Sequence, residues 1–226
     1  MSGIFAISDW SNWHDEYENP DSELTHRSRL VQEQVAAAVD DQPPGPVTVV
    51  SMCGGQGREL IGALEGHDRR SDVQGRLVEL DARNAAFARD WAQAVGLTGL
   101  EVREGDASAS DNYDGLPRAD LVIVSGVFGH LCPDDRRRVI AFLPEICRRG
   151  ARVVITTYEV KPETTADLRA YFAECEFDET GWAVTPGGMF GVMVHQLRGE
   201  ARPLVPNTTL FTFGSSRTEQ GNATET

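Results

Sequence analysis

The sequence predicts an α/β fold built on a mostly parallel sheet, and three observations carry that reading. The β-formers of residues 47–52, V-T-V-V-S-M, run without a break into a turn holding Gly54, Gly55 and Gly57. A helical pattern follows with Leu60, Ile61 and Leu64 on one face. Continuously apolar strands of this kind are covered on both faces, as in parallel sheets. Further short apolar runs at residues 77–80, 100–104, 119–124 and 150–157 are interleaved with helical patterns, the alternation that βα units produce. At the carboxy end, residues 176–184 and 191–197 flank Pro186-Gly187-Gly188 and read as a hairpin, which adds antiparallel pairing to the sheet.

Taken in order, the chain opens with Trp10, Trp13, His14 and Tyr17 concentrated before Pro20. Leu24, Val31, Val35 and Ala38 or Val39 then mark an amphipathic helix to about Asp40, and a Q-P-P-G-P linker leads to the first strand. The glycines after that strand permit positive φ and let a ligand approach the backbone. The next helix presents its first amides above the strand end. Spacing limits the ligand. A dinucleotide turn needs a third glycine where Leu60 stands, and a phosphate loop needs Lys-Ser/Thr where Arg58-Glu59 stands. What remains is a glycine turn for a ligand without phosphates.

This stretch resembles motif I of the class I S-adenosylmethionine-dependent methyltransferases: an apolar strand, an acid, then G-x-G-x-G. Ser51 stands where the family often has Asp, and Cys53 replaces the first glycine. The resemblance implies that Cys53, Gly54, Gly55 and Gly57 line the cofactor. Three further stations follow in order. Glu79 and Asp81 close the second strand. Asp81, with Ala82 beside it, is preferred as the ribose acid because Glu79 falls inside the strand; a helix cap is the competing role for Asp81. Gly105-Asp106-Ala107 resembles the adenine-reading G-D-A, and Ser125-Gly126 opens the loop that flanks the sulfonium and acceptor. The chain also resembles short actinobacterial methyltransferases reading W-H-x-x-Y, C-A/G-G-x-G-R-D/E-L and G-V-F-G-N, with His130 in place of the last Asn. Both likenesses imply a Rossmann-like, seven-stranded, mostly parallel sheet with helices on both faces, an antiparallel C-terminal strand and an N-terminal helical segment.

The remaining elements complete that frame. Phe87, Trp91 and Val95 form a stripe on the helix after Asp81. Helix 133–147 is expected to break near Leu143 because of Pro144, and residues 166–175 form a helix with Leu168, Tyr171 and Phe172 inward. Residues 1–44 are expected to act as a cap, 45–213 as the cofactor-binding domain and 214–226 as a disordered polar tail.

Composition agrees with one compact enzyme domain. The 226 residues are 40% apolar, enough for a single core. A net charge of −14 argues against a nucleic-acid partner, and the Arg136–Arg138 run reads as a solvated helix face. Four cysteines without C-x-x-C, no signal peptide and no apolar run of membrane length point to a reduced, cytoplasmic protein with no membrane partner.

The function expected is methyl transfer to oxygen or nitrogen of a small molecule. A protonated acceptor needs a base, and His130 after the fourth strand is the leading one, with His14 and Tyr17 as alternates. No metal is expected, because Ser125 and Thr156-Thr157 stand where divalent-ion enzymes gather carboxylates. Two alternatives stay open: cyclisation or elimination chemistry on bound S-adenosylmethionine, and a non-catalytic binding protein. The sequence does not fix the oligomeric state, and a homodimer is compatible with it.

Overall fold

The computed structural model describes residues 17, 19–158 and 160–213. The expected readings for Trp10, Trp13, His14 and the tail 214–226 lie outside these residues. Helix α1 (Glu23–Asp40) leads into seven strands, β1 (Val47–Met52), β2 (Val73–Glu79), β3 (Gly99–Glu104), β4 (Ala119–Val124), β5 (Cys147–Tyr158), β6 (Phe177–Val184) and β7 (Phe190–Leu197). Helices α2 (Leu60–Leu64), α3 (Ala82–Ala94), α4 (Pro133–Ile146) and α5 (Pro162–Glu174) connect them.

The strand order is β3-β2-β1-β4-β5-β7-β6, and β7 runs antiparallel to both its neighbours. This is the Rossmann-like sheet the sequence implied. Every residue of β1 and β4 is buried, because helices cover both faces. On one face, Val31, Val35, Leu60, Ile61, Ala85 and Ala88 of α1–α3 pack on Val49, Ile123 and Val154. On the other, Val139, Ile140, Leu168 and Phe172 of α4 and α5 pack on Val122, Val124 and Val153. The alternation of successive side chains across a strand assigns each to its layer.

Four local expectations are corrected. Helix α4 runs unbroken through Pro144. The proline sits in the last turn, so it removes only one amide that would have bonded back to Ile140, near the end of the ladder. Strand β5 begins at Cys147, ahead of Gly150, whose φ of +85° sits at a register shift instead of a turn before the strand. In α3 the buried stripe is Ala85, Ala88 and Ala92, while Phe87 is exposed. The small alanines let the helix lie close to the sheet, while Trp91 and Val95 of the expected stripe are partly buried and pack at its margin. Leu80 lies beyond the end of β2 and is 68% exposed.

One buried group opposes this packing. His195 of β7 is stacked on Phe172 of α5, with ring centroids 3.7 Å apart and planes 6° from parallel. Neither ring nitrogen has a hydrogen-bond partner among the described residues. Burial, reinforced by Arg169 and opposed by Glu179, holds its pKa down at about 4. The unfolded chain takes up the proton near pH ~6.5 while the folded chain refuses it, so stability rises with pH across this window. Stability is therefore expected to fall by about 3 kcal/mol as pH drops from ~6.5 to ~4 and then to level off with respect to this group. Urea unfolding across that range measures the slope, and His195→Phe should flatten it.

Candidate functional site

The order of strands reverses between β1 and β4, and at such a switch point the connections diverge to opposite faces and leave a crevice at the strand ends. The turn after β1 lines that crevice. Cys53 takes φ +51°, the left-handed conformation that favours glycine, which explains why the family pattern has glycine at this position. Its thiol is pushed above the ordinary thiol range by burial and then by the charges of Glu79 and Asp106, so it is a packed thiol and not a nucleophile. Gly57, at φ +83°, leaves no room for a Cβ, which would lie 2.3 Å from the Ile61 side chain. Over Gly55 nothing lies within 4 Å of a Cβ position, so this part of the turn is open.

The acid that faces this turn is Glu79. Its carboxylate accepts the Gly55 amide at 2.8 Å and the Asp81 amide at 2.9 Å. Its carbonyl accepts the Gly105 amide at 2.8 Å. Asp81 is the N-cap of α3, and its carboxylate receives four contacts, from the amides of Arg83 and Asn84 and from the Arg83 guanidinium. Those hydrogen bonds, Arg83's side chain first, hold its pKa down at about 2. Three of the Asp81 contacts fall on Oδ1 and one on Oδ2, whereas Glu79 carries one bond on each oxygen and keeps about two of its four lone-pair sites. The geometry gives Asp81 the capping role and leaves Glu79 facing the glycine turn. Between them, Leu80 presents its apolar side chain to solvent. Ala82 is the first residue of α3. Asp106 accepts the Ser108 amide with Oδ1 at the end of β3, next to the buried Ala107.

Across the crevice, Ser125 and Gly126 follow β4. The Ser125 hydroxyl donates to Glu59 at 3.3 Å, and the Gly126 amide donates to Thr156 Oγ1 at 2.7 Å. Arg27 of α1 reaches the same carboxylate, donating to Glu59 at 3.1 Å and to the Tyr17 hydroxyl at 2.5 Å. Arg27 is 3% exposed, and its guanidinium also lies 5.2 Å from the Phe190 ring centroid. Arg58 lies 4.8 Å over the Tyr17 ring. Burial, and then the Glu59 charge, push the Tyr17 phenol up to about 12. That shift favours the protonated phenol, which accepts the Arg27 hydrogen bond. His130 ends a short 3-10 turn, Phe128–His130, at the crevice rim; Arg136 anchors that turn by donating to the Phe128 carbonyl at 2.9 Å. Partial desolvation and then Arg27 lower the imidazole pKa, which favours the neutral form.

The sequence reading missed Arg27, Glu59, Leu80 and Glu23. Arg27 had a signal: a cation on the Leu24–Val31–Val35 stripe of an amphipathic helix enters the buried face. Glu23 opens the same helix and clamps the β6–β7 connection. It accepts the Thr185 hydroxyl, the Gly187 amide at 2.8 Å and the Met189 amide at 3.3 Å, and these bonds, Thr185 first, lower its pKa.

A family model described as "Putative methyltransferase" matches residues 23–171, about two thirds of the chain. No curated protein sequence matches. Among solved structures, magnesium protoporphyrin IX methyltransferase from Synechocystis with S-adenosylhomocysteine bound is similar at 16% identity and TM-score 0.64, over 84% of this chain and 95% of that one. An O-methyltransferase family protein from Burkholderia thailandensis is similar at 19% identity and TM-score 0.57, over 86% and 70%. A TehB-like S-adenosylmethionine-dependent methyltransferase from Corynebacterium glutamicum matches at 16% identity and TM-score 0.57, over 84% and 97%. At these identities the structural likenesses establish the fold.

The electrostatics of the rim are directly measurable. In a proton NMR titration His130 should titrate below the ordinary imidazole value of about 6.5, and Arg27→Gln should move its midpoint upward by removing the neighbouring charge.

Proposed function

The chain belongs to that methyltransferase family, and on this premise we propose that it transfers the methyl group of S-adenosylmethionine to an oxygen or nitrogen of a small molecule, without a metal ion. The observation that carries the reading is the row of groups along the strand ends, which offers a chemical match to each part of this cofactor. Glu79, with its remaining lone pairs, suits the two ribose hydroxyls. Exposed Leu80 offers an apolar face to the adenine ring, and Asp106 with the Ala107 amide suits its exocyclic amine. The opposed charges of Glu59 and Arg27 suit the ammonium and carboxylate of the methionine moiety. Cys53, Gly54, Gly55 and Gly57 form one wall, Ser125 and Gly126 the other, and the Tyr17 hydroxyl accepts a hydrogen bond from Arg27. Asp81 acts by fixing the start of α3, with Ala82, beside that wall.

When bound, the cofactor supplies an electrophilic methyl on a positively charged sulfur. The chain's contribution is to hold an acceptor in line and to take its proton. His130 is the group we assign to the proton; His14 is the alternate from the N-terminal segment. Hydroxyls of Ser125, Thr156 and Thr157 at the ends of β4 and β5, in place of carboxylates, support a reaction without a divalent ion. The acidic surface, with a net charge of −14, supports a small molecule over a nucleic acid as acceptor. In this reading residues 45–213 are the catalytic unit and residues 1–44 its cap.

Calorimetric titration with S-adenosylmethionine and S-adenosylhomocysteine, with NAD and ATP as controls, tests the cofactor; micromolar binding of the first two alone is expected, and no binding overturns the reading. Labelled methyl should then pass into a small-molecule fraction with EDTA present. Glu79→Ala should weaken S-adenosylhomocysteine binding by about 1–3 kcal/mol, the scale of lost charged hydrogen bonds. Asp81→Ala should instead cost about 1 kcal/mol of folding stability through the lost cap, with affinity nearly unchanged. Because the basic form of His130 is the neutral one, turnover should fall as pH drops through its depressed midpoint, and His130→Ala should lower turnover at every pH with cofactor affinity retained.

A further inference from the structure

We propose that Tyr158, Met189 and Phe190 form the acceptor subsite and that it takes an aromatic ring carrying the nucleophilic hydroxyl or amine. This deepens the methyl-transfer reading of the same crevice and rests on it.

Tyr158 ends β5 and is paired in register with Phe190 at the start of β7; their rings lie 5.6 Å apart at 53°. This puts both side chains on the α1 face of the sheet, at the crevice edge. Phe190 is buried and backed by the Arg27 guanidinium, whereas Tyr158 is 42% and Met189 43% exposed. The wall is continuous with the crevice on both sides. A Cβ at Gly129 would lie 2.7 Å from the Tyr158 Cβ, so the absence of a side chain there lets the ring abut the turn that carries His130. On the other side, Phe190 meets Arg27, which holds Glu59 and Tyr17.

The wall is also held in place. The Glu23 carboxylate binds Thr185 and the amides of Gly187 and Met189, while the Phe190 amide donates to Thr185 Oγ1 at 3.1 Å. A fixed apolar surface that offers a half-exposed ring, tilted against a buried one, and a thioether beside it suits a flat π-system, which gains contact with both without ordering the protein further. An aliphatic or highly polar acceptor would leave the Tyr158 face without a partner.

The test uses the full chain labelled with 13C at its methionine methyl groups and saturated with S-adenosylhomocysteine, titrated with 2-naphthol. The sequence has four methionines; Met52 and Met193 are buried, and Met189→Leu identifies the Met189 signal. A ring seated on the wall should move the Met189 methyl upfield in a saturable way and leave Met52 in place. Tyr158→Ala, a change at a half-exposed position that the fold tolerates, should weaken that binding about fivefold, the scale of one lost aromatic contact. A fully saturated analogue, decahydro-2-naphthol, should bind more weakly than the aromatic compound. No Met189 shift up to the solubility limit, with S-adenosylhomocysteine bound by calorimetry, overturns the proposal and leaves the methyl-transfer reading standing. Failure of S-adenosylhomocysteine to bind counts against that reading instead, and naphthol is then titrated into the free chain, where absence of a shift again overturns the proposal. A Met189 signal already displaced before naphthol is added, and restored in the Trp10→Ala/Trp13→Ala double variant, would assign the wall to the chain's own indoles and overturn it as well.

Discussion

The carboxylate of Glu79 accepts the Gly55 amide with one oxygen and the Asp81 amide with the other, while its carbonyl accepts the Gly105 amide, so a single residue joins the ends of β1, β2 and β3. The two bonds to the carboxylate are charge-assisted and roughly twice as strong as the neutral backbone bond to Gly105, and the three together tie three strand ends. The glycine turn cannot rise, α3 cannot shift along its axis and the β3 turn cannot swing without breaking one of them. Register below is set by the six paired positions of β1 and β2 and the matching pairs of β2 and β3. The sheet thus delivers Glu79 to the edge, and Glu79 fixes what the edge presents.

A second constraint comes from α1. Removing the Arg27 charge from water is costly unless partners replace the lost hydration. Glu59, the Tyr17 hydroxyl and the Phe190 face are those partners, contributed by α2's approach, the segment before α1 and β7. Glu23 lies one helical turn earlier on the same helix, where it secures the 185–189 connection. The rotational setting of one helix therefore decides both the charge inside the crevice and the position of its aromatic wall.

The fold was legible because its strongest signals are local. The apolar run before the glycines, the motif order and the final hairpin each appear in the sheet where the pattern put them. What the sequence concealed depends on competition between neighbours. Glu79 and Asp81 both lie near the strand end, and only the backbone shows that Asp81 is consumed by capping while Glu79 faces the turn. Phe87 fell outside the packed face because three alanines lie closest to the sheet, with Trp91 and Val95 of the expected stripe partly buried beside them. Pro144 reads as a breaker, yet its place in a last turn removes a single bond. Arg27, Glu59 and Glu23 were missed because their partners lie 10 to 166 residues away, and no periodicity encodes such pairings.

Six strands bring their carboxy ends to the ligand edge, and β7, running the other way, brings its beginning. The connection from β6 to β7 therefore opens onto the same crevice as the β1 and β4 loops, yet it comes late in the chain and bears on none of the pairings among β1, β2 and β3. The 185–190 turn is tied to the first half of the chain through α1, by Glu23 at the turn itself and by Arg27 against Phe190, so a change in its length would be felt at one helix and not in the register of the central strands.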